Sequence, residues 1–234
     1  MNTQDQTYPT MVSSASPETR ASFIRQTYSH LAGAILVFVG ITGFILSTPL
    51  AAQLTQLMFS GKYSWLIVMG MFMGVSMLAN KWAFSGTSLG KQYAGLALYT
   101  VAEAIIFVPI LMIAQLQYPG IIAQAGLMTG LMLAGLTTIV FLTRKDFNFL
   151  TPILTIAGFV ALGVIVFSIV IGFDLGLLFS ALMILFATGA ILRDTSNVML
   201  HYRTDQYVAA SLSLFASVAL LFWYILNLLM RLRD

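Results

Sequence analysis

Two acidic residues lie in or directly against long apolar segments of the chain. Glu103 stands in the middle of LYTVAEAIIFVPIL, and Asp194 follows an apolar run in ILRDTSNVML. Only 8% of the 234 residues are charged, so acids are scarce elsewhere in the chain as well. A carboxylate in such surroundings needs a partner, and it can bind or transfer a cation or a proton. These two residues are the first candidates for a functional site.

The neighbourhood of Glu103 contains a second polar feature, the proline at position 109. Proline has no N–H, so the carbonyl oxygen of Ile105 is left free within a turn of the carboxylate. The carboxylate and this oxygen together predict a small oxygen-lined site. The alternative is a protonated Glu103 that hydrogen-bonds to a neighbouring Ser, Thr or Tyr.

The last apolar segment carries polar residues at helical spacing. Steps of three or four residues from Ser213 reach Ser217, Tyr224 and Asn227. This spacing puts them on one face of a helix, which we expect to point into a bundle because lipid offers no hydrogen-bond partners. The pattern therefore predicts a central last helix and adds these four residues to the candidate ion or proton site.

The elements that carry these residues are membrane-spanning helices. The mean hydropathy is +0.92, and seven apolar segments come close to the roughly 20 residues that a span needs. We place them at 28–48, 63–80, 92–114, 121–142, 150–172, 175–199 and 207–230. The runs are continuous rather than alternating, which excludes a β-barrel. The sequence predicts an all-α polytopic membrane protein with one seven-helix domain, residues 28–234.

Asp194 is expected near the end of the sixth predicted span, which continues past it. On that helix it shares a face with three apolar residues, Ala187, Ile191 and Val198. We expect its side chain to point inward at the cytoplasmic mouth of the bundle, with Arg193 turned elsewhere. The alternative is a solvated acid paired with Arg193 or Arg203.

The distribution of Lys and Arg predicts the orientation in the membrane. Eight of the 11 basic residues fall on the side that holds the N-terminus, which predicts a cytoplasmic N-terminus and a periplasmic C-terminus. The polar first 27 residues are expected to form a flexible cytoplasmic tail. Basic residues at helix ends form no patch for nucleic acid. The chain has no cysteine and no catalytic or metal-ligand cluster, so we expect no enzymatic activity and no cofactor, with Asp194 as the single candidate metal ligand.

Three further segments carry a resemblance to a known family: RKDFNFL, RDTSNVM and TDQYVAASLSLFASVALLF. They resemble the Bax inhibitor-1 (transmembrane Bax inhibitor motif) family, closest to its bacterial YccA-like branch. The resemblance implies a seven-helix bundle around the last helix, in the bacterial inner membrane. Some members are pH-sensitive calcium leaks, gated by one acid at the end of helix six and one within helix seven, with a basic residue on helix two as a latch.

The match to that gate is partial. Asp194 corresponds to the first acid, but Ser217 occupies the position of the second, and the second predicted span has no internal Arg. A single carboxylate cannot give the coupled titration of an acid pair, and it is a poor cage for Ca²⁺, which prefers six to eight oxygens.

The departure from the acid pair favours a second activity that the resemblance implies. YccA-like proteins bind the membrane-anchored AAA protease FtsH and modulate its turnover of membrane proteins through a cytoplasmic tail. The leading expectation is therefore modulation of membrane-protein quality control, with residues 1–27 as the binding segment. The alternative is a pH-sensitive leak for Ca²⁺, another cation or H⁺ that involves Asp194 and Glu103. The sequence leaves the oligomeric state open.

Overall fold

The computed structural model describes residues 10–85 and 88–233, and these are folded almost entirely into helices. The helices are α1 (Pro17–Leu46), α2 (Leu50–Met58), α3 (Ser64–Ala83), α4 (Leu89–Gln117), α5 (Ile121–Thr143), α6 (Leu150–Ile171), α7 (Gly176–Leu200) and α8 (Tyr207–Arg231). All except α2 are long and apolar enough to cross a membrane, which makes seven candidate spans in the described residues. The all-α, polytopic fold predicted from the sequence is confirmed.

The short helix α2 was not predicted from the sequence. Pro49 lacks the N–H that would continue α1, and the hydroxyls of Ser47 and Thr48 instead donate to the carbonyls of Phe44 and Ile45, at 2.8 and 2.9 Å. The chain restarts as α2 and runs beside α4, where Thr55 donates to the sulfur of Met112 at 3.4 Å. The first candidate span, α1, is thus followed by a short helix that is not itself a candidate span.

Residues 1–27 were predicted to form a flexible tail. Of these, residues 1–9 lie outside the described residues, and the prediction is wrong for residues 10–27. α1 begins at Pro17, and the Ser16 side chain caps it by accepting a hydrogen bond from the backbone N–H of Thr19 at 3.3 Å. Phe23 and Thr27 are both buried in the bundle. Burial of these side chains holds the polar segment in a helix that composition alone did not favour.

Residues 10–16, which precede α1, form what we call the N-terminal strap. Its backbone bonds to the turn between α7 and α8: the Val12 N–H donates to the Tyr202 carbonyl at 2.9 Å, and the Thr204 N–H donates to the Thr10 carbonyl at 3.0 Å. Val12 is completely buried. The strap is therefore part of the folded domain and covers the turn from the side on which α1 begins.

The centre of the bundle is formed by two helices rather than one. α8 packs against α1, α3, α4, α5 and α7, which confirms the prediction that the last helix is central. α4 is as deeply buried as α8 and packs against it. α4 also approaches α3 closely, because a Cβ on Gly95 would lie only 2.5 Å from the Ala79 carbonyl oxygen. These contacts fix the positions of the two acids, one on α4 and one facing α8.

Candidate functional site

Asp194 lies between α7 and α8 and is 2% exposed. The Ser217 hydroxyl donates to its Oδ2 at 2.6 Å. Its Oδ1 accepts from Nε and Nη2 of Arg193, at 2.9 and 2.5 Å. The apolar residues predicted to share its face are also buried: Ala187, Ile191 and Val198. The predicted inward orientation of Asp194 is confirmed, and the site is a buried carboxylate held by one hydroxyl and one guanidinium.

The first interpretation, in which Arg193 points away from Asp194, is wrong; the pairing with Arg193 that the alternative predicted is present, but Asp194 is buried rather than solvated. Adjacent positions on a helix diverge by about 100°, but the long Arg side chain folds back along α7 and reaches the neighbouring carboxylate. The other proposed partner, Arg203, bonds to Asp205 at 3.2 Å instead. The Arg193 side chain remains 26% exposed, so it joins a buried acid to the surface of the bundle.

As predicted, Asp194 lies near the end of its helix, since α7 continues for only six residues past it, but the structure closes this end of the bundle over Asp194. Its partner Ser217 lies about 15 Å along α8 from Tyr207, at 1.5 Å per residue. Between this level and the end of the bundle stands Tyr202, whose hydroxyl donates to Ser213 at 2.9 Å. Burial raises the pKa of Tyr202 to about 12, so its hydroxyl keeps the proton that it donates. Tyr202 is itself bonded to the N-terminal strap, and the two together close this end of the site.

Glu103 occupies a different place, a cavity of about 420 Å³ in the half of the bundle where α8 ends. It is 6% exposed and hydrogen-bonded to Tyr99, one turn earlier on α4. Tyr224 and Asn227 line the same cavity. The alternative that the sequence left open, a Glu103 hydrogen-bonded to a neighbouring hydroxyl, therefore describes its contacts.

The oxygen-lined site expected around Glu103 and Pro109 is not part of this cavity. Neither Pro109 nor Ile105, whose carbonyl the proline frees, lines the cavity. Ile105 is two positions after Glu103 and so points about 200° away around the helix. The freed carbonyl and the carboxylate consequently belong to different sides of α4.

The six candidate residues therefore form two separate groups. Asp194, Ser217 and Ser213 lie on the side of α8 that meets α7 and Tyr202, whereas Glu103, Tyr224 and Asn227 line the cavity. Asp194 does not line that cavity. Sequence reasoning missed Tyr202 and the strap as parts of the Asp194 site, and it considered Arg193 as a partner only for a solvated Asp194. The one available signal was the Ser16-Pro17 pair, which marks an early start of α1.

The Asp194 site does not fit a resident Ca²⁺ ion. It offers one carboxylate and one hydroxyl, and a guanidinium already occupies one carboxylate oxygen. Ca²⁺ takes six to eight oxygen ligands. Across residues 10–85 and 88–233, no group of three or more His, Cys, Asp or Glu side chains could hold a metal ion. Any ion that uses this site would be a passing ion rather than a bound one.

Comparison with known proteins assigns the whole bundle to one group of sequences. The profile of the family described as "Inhibitor of apoptosis-promoting Bax1" matches residues 20–234. The chain is 30% identical over 228 residues to the Pseudomonas aeruginosa protein PA2604, with 96% of each chain covered. It is 27% identical over 229 residues to Protein LIFEGUARD 4 of Arabidopsis thaliana, covering 94% of this chain and 88% of the relative. Protein LIFEGUARD 2 of the same plant is 28% identical over 232 residues, covering 95% of this chain and 92% of the relative.

Proposed function

Because the chain belongs to the Bax inhibitor-1 family, we propose that it carries a slow, regulated leak of cations or protons controlled by Asp194. One observation supports this most strongly. A carboxylate stands at the interface of two spanning helices, 2% exposed, where a purely structural residue would be apolar. Ionisable groups at such positions typically belong to ion or proton pathways.

The contacts of Asp194 suggest how the leak is held closed. Its two oxygens are occupied by Arg193 and Ser217, so a passing cation finds no free ligand. Arg193 is already 26% exposed and can turn towards solvent without crossing the bundle. Its departure would leave a carboxylate able to accept a proton or a cation. Tyr202 and the strap must move as well, because they close the end of the site.

The presence of one acid rather than two sets the expected pH response. Two carboxylates that share a proton titrate in coupled steps and give a sharp switch. Asp194 faces Ser217, which does not titrate, and the guanidinium of Arg193, and no second carboxylate of the described residues contacts it. We therefore propose a gradual response of the leak to pH.

Flux through liposomes tests this proposal. Proton- and calcium-sensitive dyes report the leak of the purified protein at about pH 6 and pH 8. We expect wild type to leak and Asp194→Asn to change the pH dependence, because the amide keeps the size and the Ser217 contact but cannot ionise. Asp205→Asn is the matched control, since it removes an acid that lies outside the site. Equal pH dependence in wild type and Asp194→Asn would refute the proposal.

A second candidate function is modulation of the protease FtsH through the N-terminal residues. The observation that favours it is the attachment of the strap to the α7–α8 turn, because a partner that held the preceding residues would act on Tyr202 and so on the Asp194 site. The experiment compares co-purification of the protease with the full chain and with a chain lacking residues 2–9, which keeps the strap. We expect the deletion to remove the association and leave the flux intact. Unchanged association would exclude residues 2–9 as the segment that binds the protease.

The same proposal includes the setting of the protein. The chain would be a non-enzymatic protein of the bacterial inner membrane, with a cytoplasmic N-terminus and a periplasmic C-terminus. The excess of Lys and Arg on the N-terminal side supports this orientation. α8 begins beside the strap that precedes α1, so it starts on the same side of the bundle as α1 and ends on the opposite side. An odd number of spans, such as the seven candidates in the described residues, puts the two ends of a chain on opposite sides in the same way.

A further inference from the structure

The cavity beside Glu103 is a second site, separate from Asp194. Its walls come from α3 on one side and α6 on another, and its floor from α4, α7 and α8. Met73 of α3, one of the lining residues, is 46% exposed, and Leu162 and Ile165 of α6 are only partly buried. The cavity thus reaches the apolar outer surface of the bundle. Its volume of about 420 Å³ lies within the range of sites for small organic ligands.

Glu103 gives this cavity its charge character. The other charged residue in the lining is Arg231, whose guanidinium forms two 2.6 Å bonds to Asp174. On α4, Glu103 lies between Tyr99, whose ring contacts Phe215 of α8, and Phe107, whose ring contacts Trp223 of α8. Glu103 is therefore level with the point of α8 midway between Phe215 and Trp223. That point lies about 18 Å along α8 from Arg231. The end of the cavity at Glu103 is therefore acidic, whereas at the other end the charge of Arg231 is balanced by that of Asp174.

The remaining groups that face Glu103 are neutral. Tyr99 is its hydrogen-bonding partner on α4, and the polar side chains from the other walls are Ser168, Ser180, Tyr224 and Asn227. None of these supplies a positive charge. A carboxyl in this position favours a ligand that brings the missing cation.

The apolar lining defines what kind of cation would fit. Aromatic rings from four helices line it: Trp65 and Phe72 of α3, Tyr99 and Phe107 of α4, Phe179 of α7, and Trp223 and Tyr224 of α8. Such rings attract an organic ammonium through cation–π contacts. Glu103 is the only carboxylate among the described lining residues, whereas Ca²⁺ sites draw their six to eight oxygens mainly from several carboxylates and carbonyls.

We propose that this cavity binds a hydrophobic organic monocation, with its ammonium group against Glu103 and its apolar body between the aromatic rings. The carboxylate supplies the charge, the rings supply the cation–π contacts, and the opening between α3 and α6 lets an amphiphilic ligand enter from the bilayer. The site is independent of the leak controlled by Asp194, since Asp194 is absent from the lining.

Calorimetric titration of the protein in nanodiscs with phenyltrimethylammonium tests the proposal, with empty nanodiscs as the blank. We expect saturable binding, and binding at least about tenfold weaker for tert-butylbenzene, the neutral isostere with carbon in place of nitrogen. Glu103→Gln should weaken binding of the cation by at least about tenfold. Glu103→Asp should restore most of it, because the charge returns.

Asp194→Asn is the matched control and should bind the cation as wild type does, whatever its effect on flux. If Glu103→Gln fails to fold, Ala216→Phe fills the cavity while leaving the carboxylate in place, and it should abolish binding. The proposal is overturned if wild type shows no saturable binding, if the neutral isostere binds equally well, or if Glu103→Gln or Ala216→Phe keeps full affinity.

Discussion

Replacing Arg193 by Met should destabilise the protein because it leaves Asp194 buried without its cation. Removal of one partner from a fully buried ion pair typically costs about 3–5 kcal/mol. Here the Arg193 side chain is 26% exposed and Ser217 continues to donate to the carboxylate, so we expect a smaller loss, about 2–3 kcal/mol. Asp194→Asn should cost only about 1 kcal/mol, since the freed Arg193 can turn to solvent.

A double-mutant cycle separates the pair from its parts. The variant with both changes should be destabilised by about 1 kcal/mol, which is less than Arg193→Met alone, because no unpaired charge remains. The measurement is reversible unfolding by SDS in mixed micelles at neutral pH. The exposed pair of Arg203 and Asp205 serves as the control and should couple by no more than about 0.5 kcal/mol. Strict additivity at Arg193 and Asp194 would show that the ion pair does not hold the acid.

Three further outcomes follow from the packing and the loops. Gly95→Leu should prevent stable folding, because even a Cβ would meet backbone atoms of α3, whereas Gly130→Leu should be tolerated because nothing lies within 4 Å of its Cβ position; thermal unfolding distinguishes them. The backbone N–H of Asn148 lowers the pKa of Asp146, so this acid stabilises the fold above its unfolded pKa near 3.8 and the gain is lost as pH falls through the lower folded value. The stability difference between wild type and Asp146→Asn should accordingly be present at pH 7 and vanish in acid; a difference that persists there would contradict this reading. Tyr202→Phe should cost about 1 kcal/mol by removing a donor at 2.9 Å, and an unchanged unfolding free energy would show that the closure at this end is not held by that bond.

The helices could be predicted from the sequence because each span is a long apolar run. The ends of α3 to α8 fall within a few residues of those expected, since polar or glycine residues interrupt the runs there. α1 differed because its early turns are polar and are held by burial of Phe23, which only the fold reveals. The break at Pro49 left a helix too short to register as a span.

Four of the six candidate residues are buried (Glu103, Asp194, Ser217 and Tyr224) and Ser213 and Asn227 are partly buried, but how they group could not be predicted. Helical spacing placed Ser213, Ser217, Tyr224 and Asn227 on one broad face of α8. Which neighbour each of them meets depends on how α4 and α7 pack around α8, and periodicity carries no information about that order. The contact between Arg193 and Asp194 depends on side-chain flexibility, which a helical wheel omits.

The pH profile of the leak is the most direct test of the central claim that Asp194 alone controls it. Proton and calcium flux through liposomes would be recorded at closely spaced pH values for wild type, Asp194→Asn and Ser217→Asp, the last of which places a second acid beside the first. The account predicts a gradual, single-proton curve for wild type, no such titration in Asp194→Asn, and a steeper curve in Ser217→Asp. A wild-type curve that survives unchanged in Asp194→Asn would contradict it.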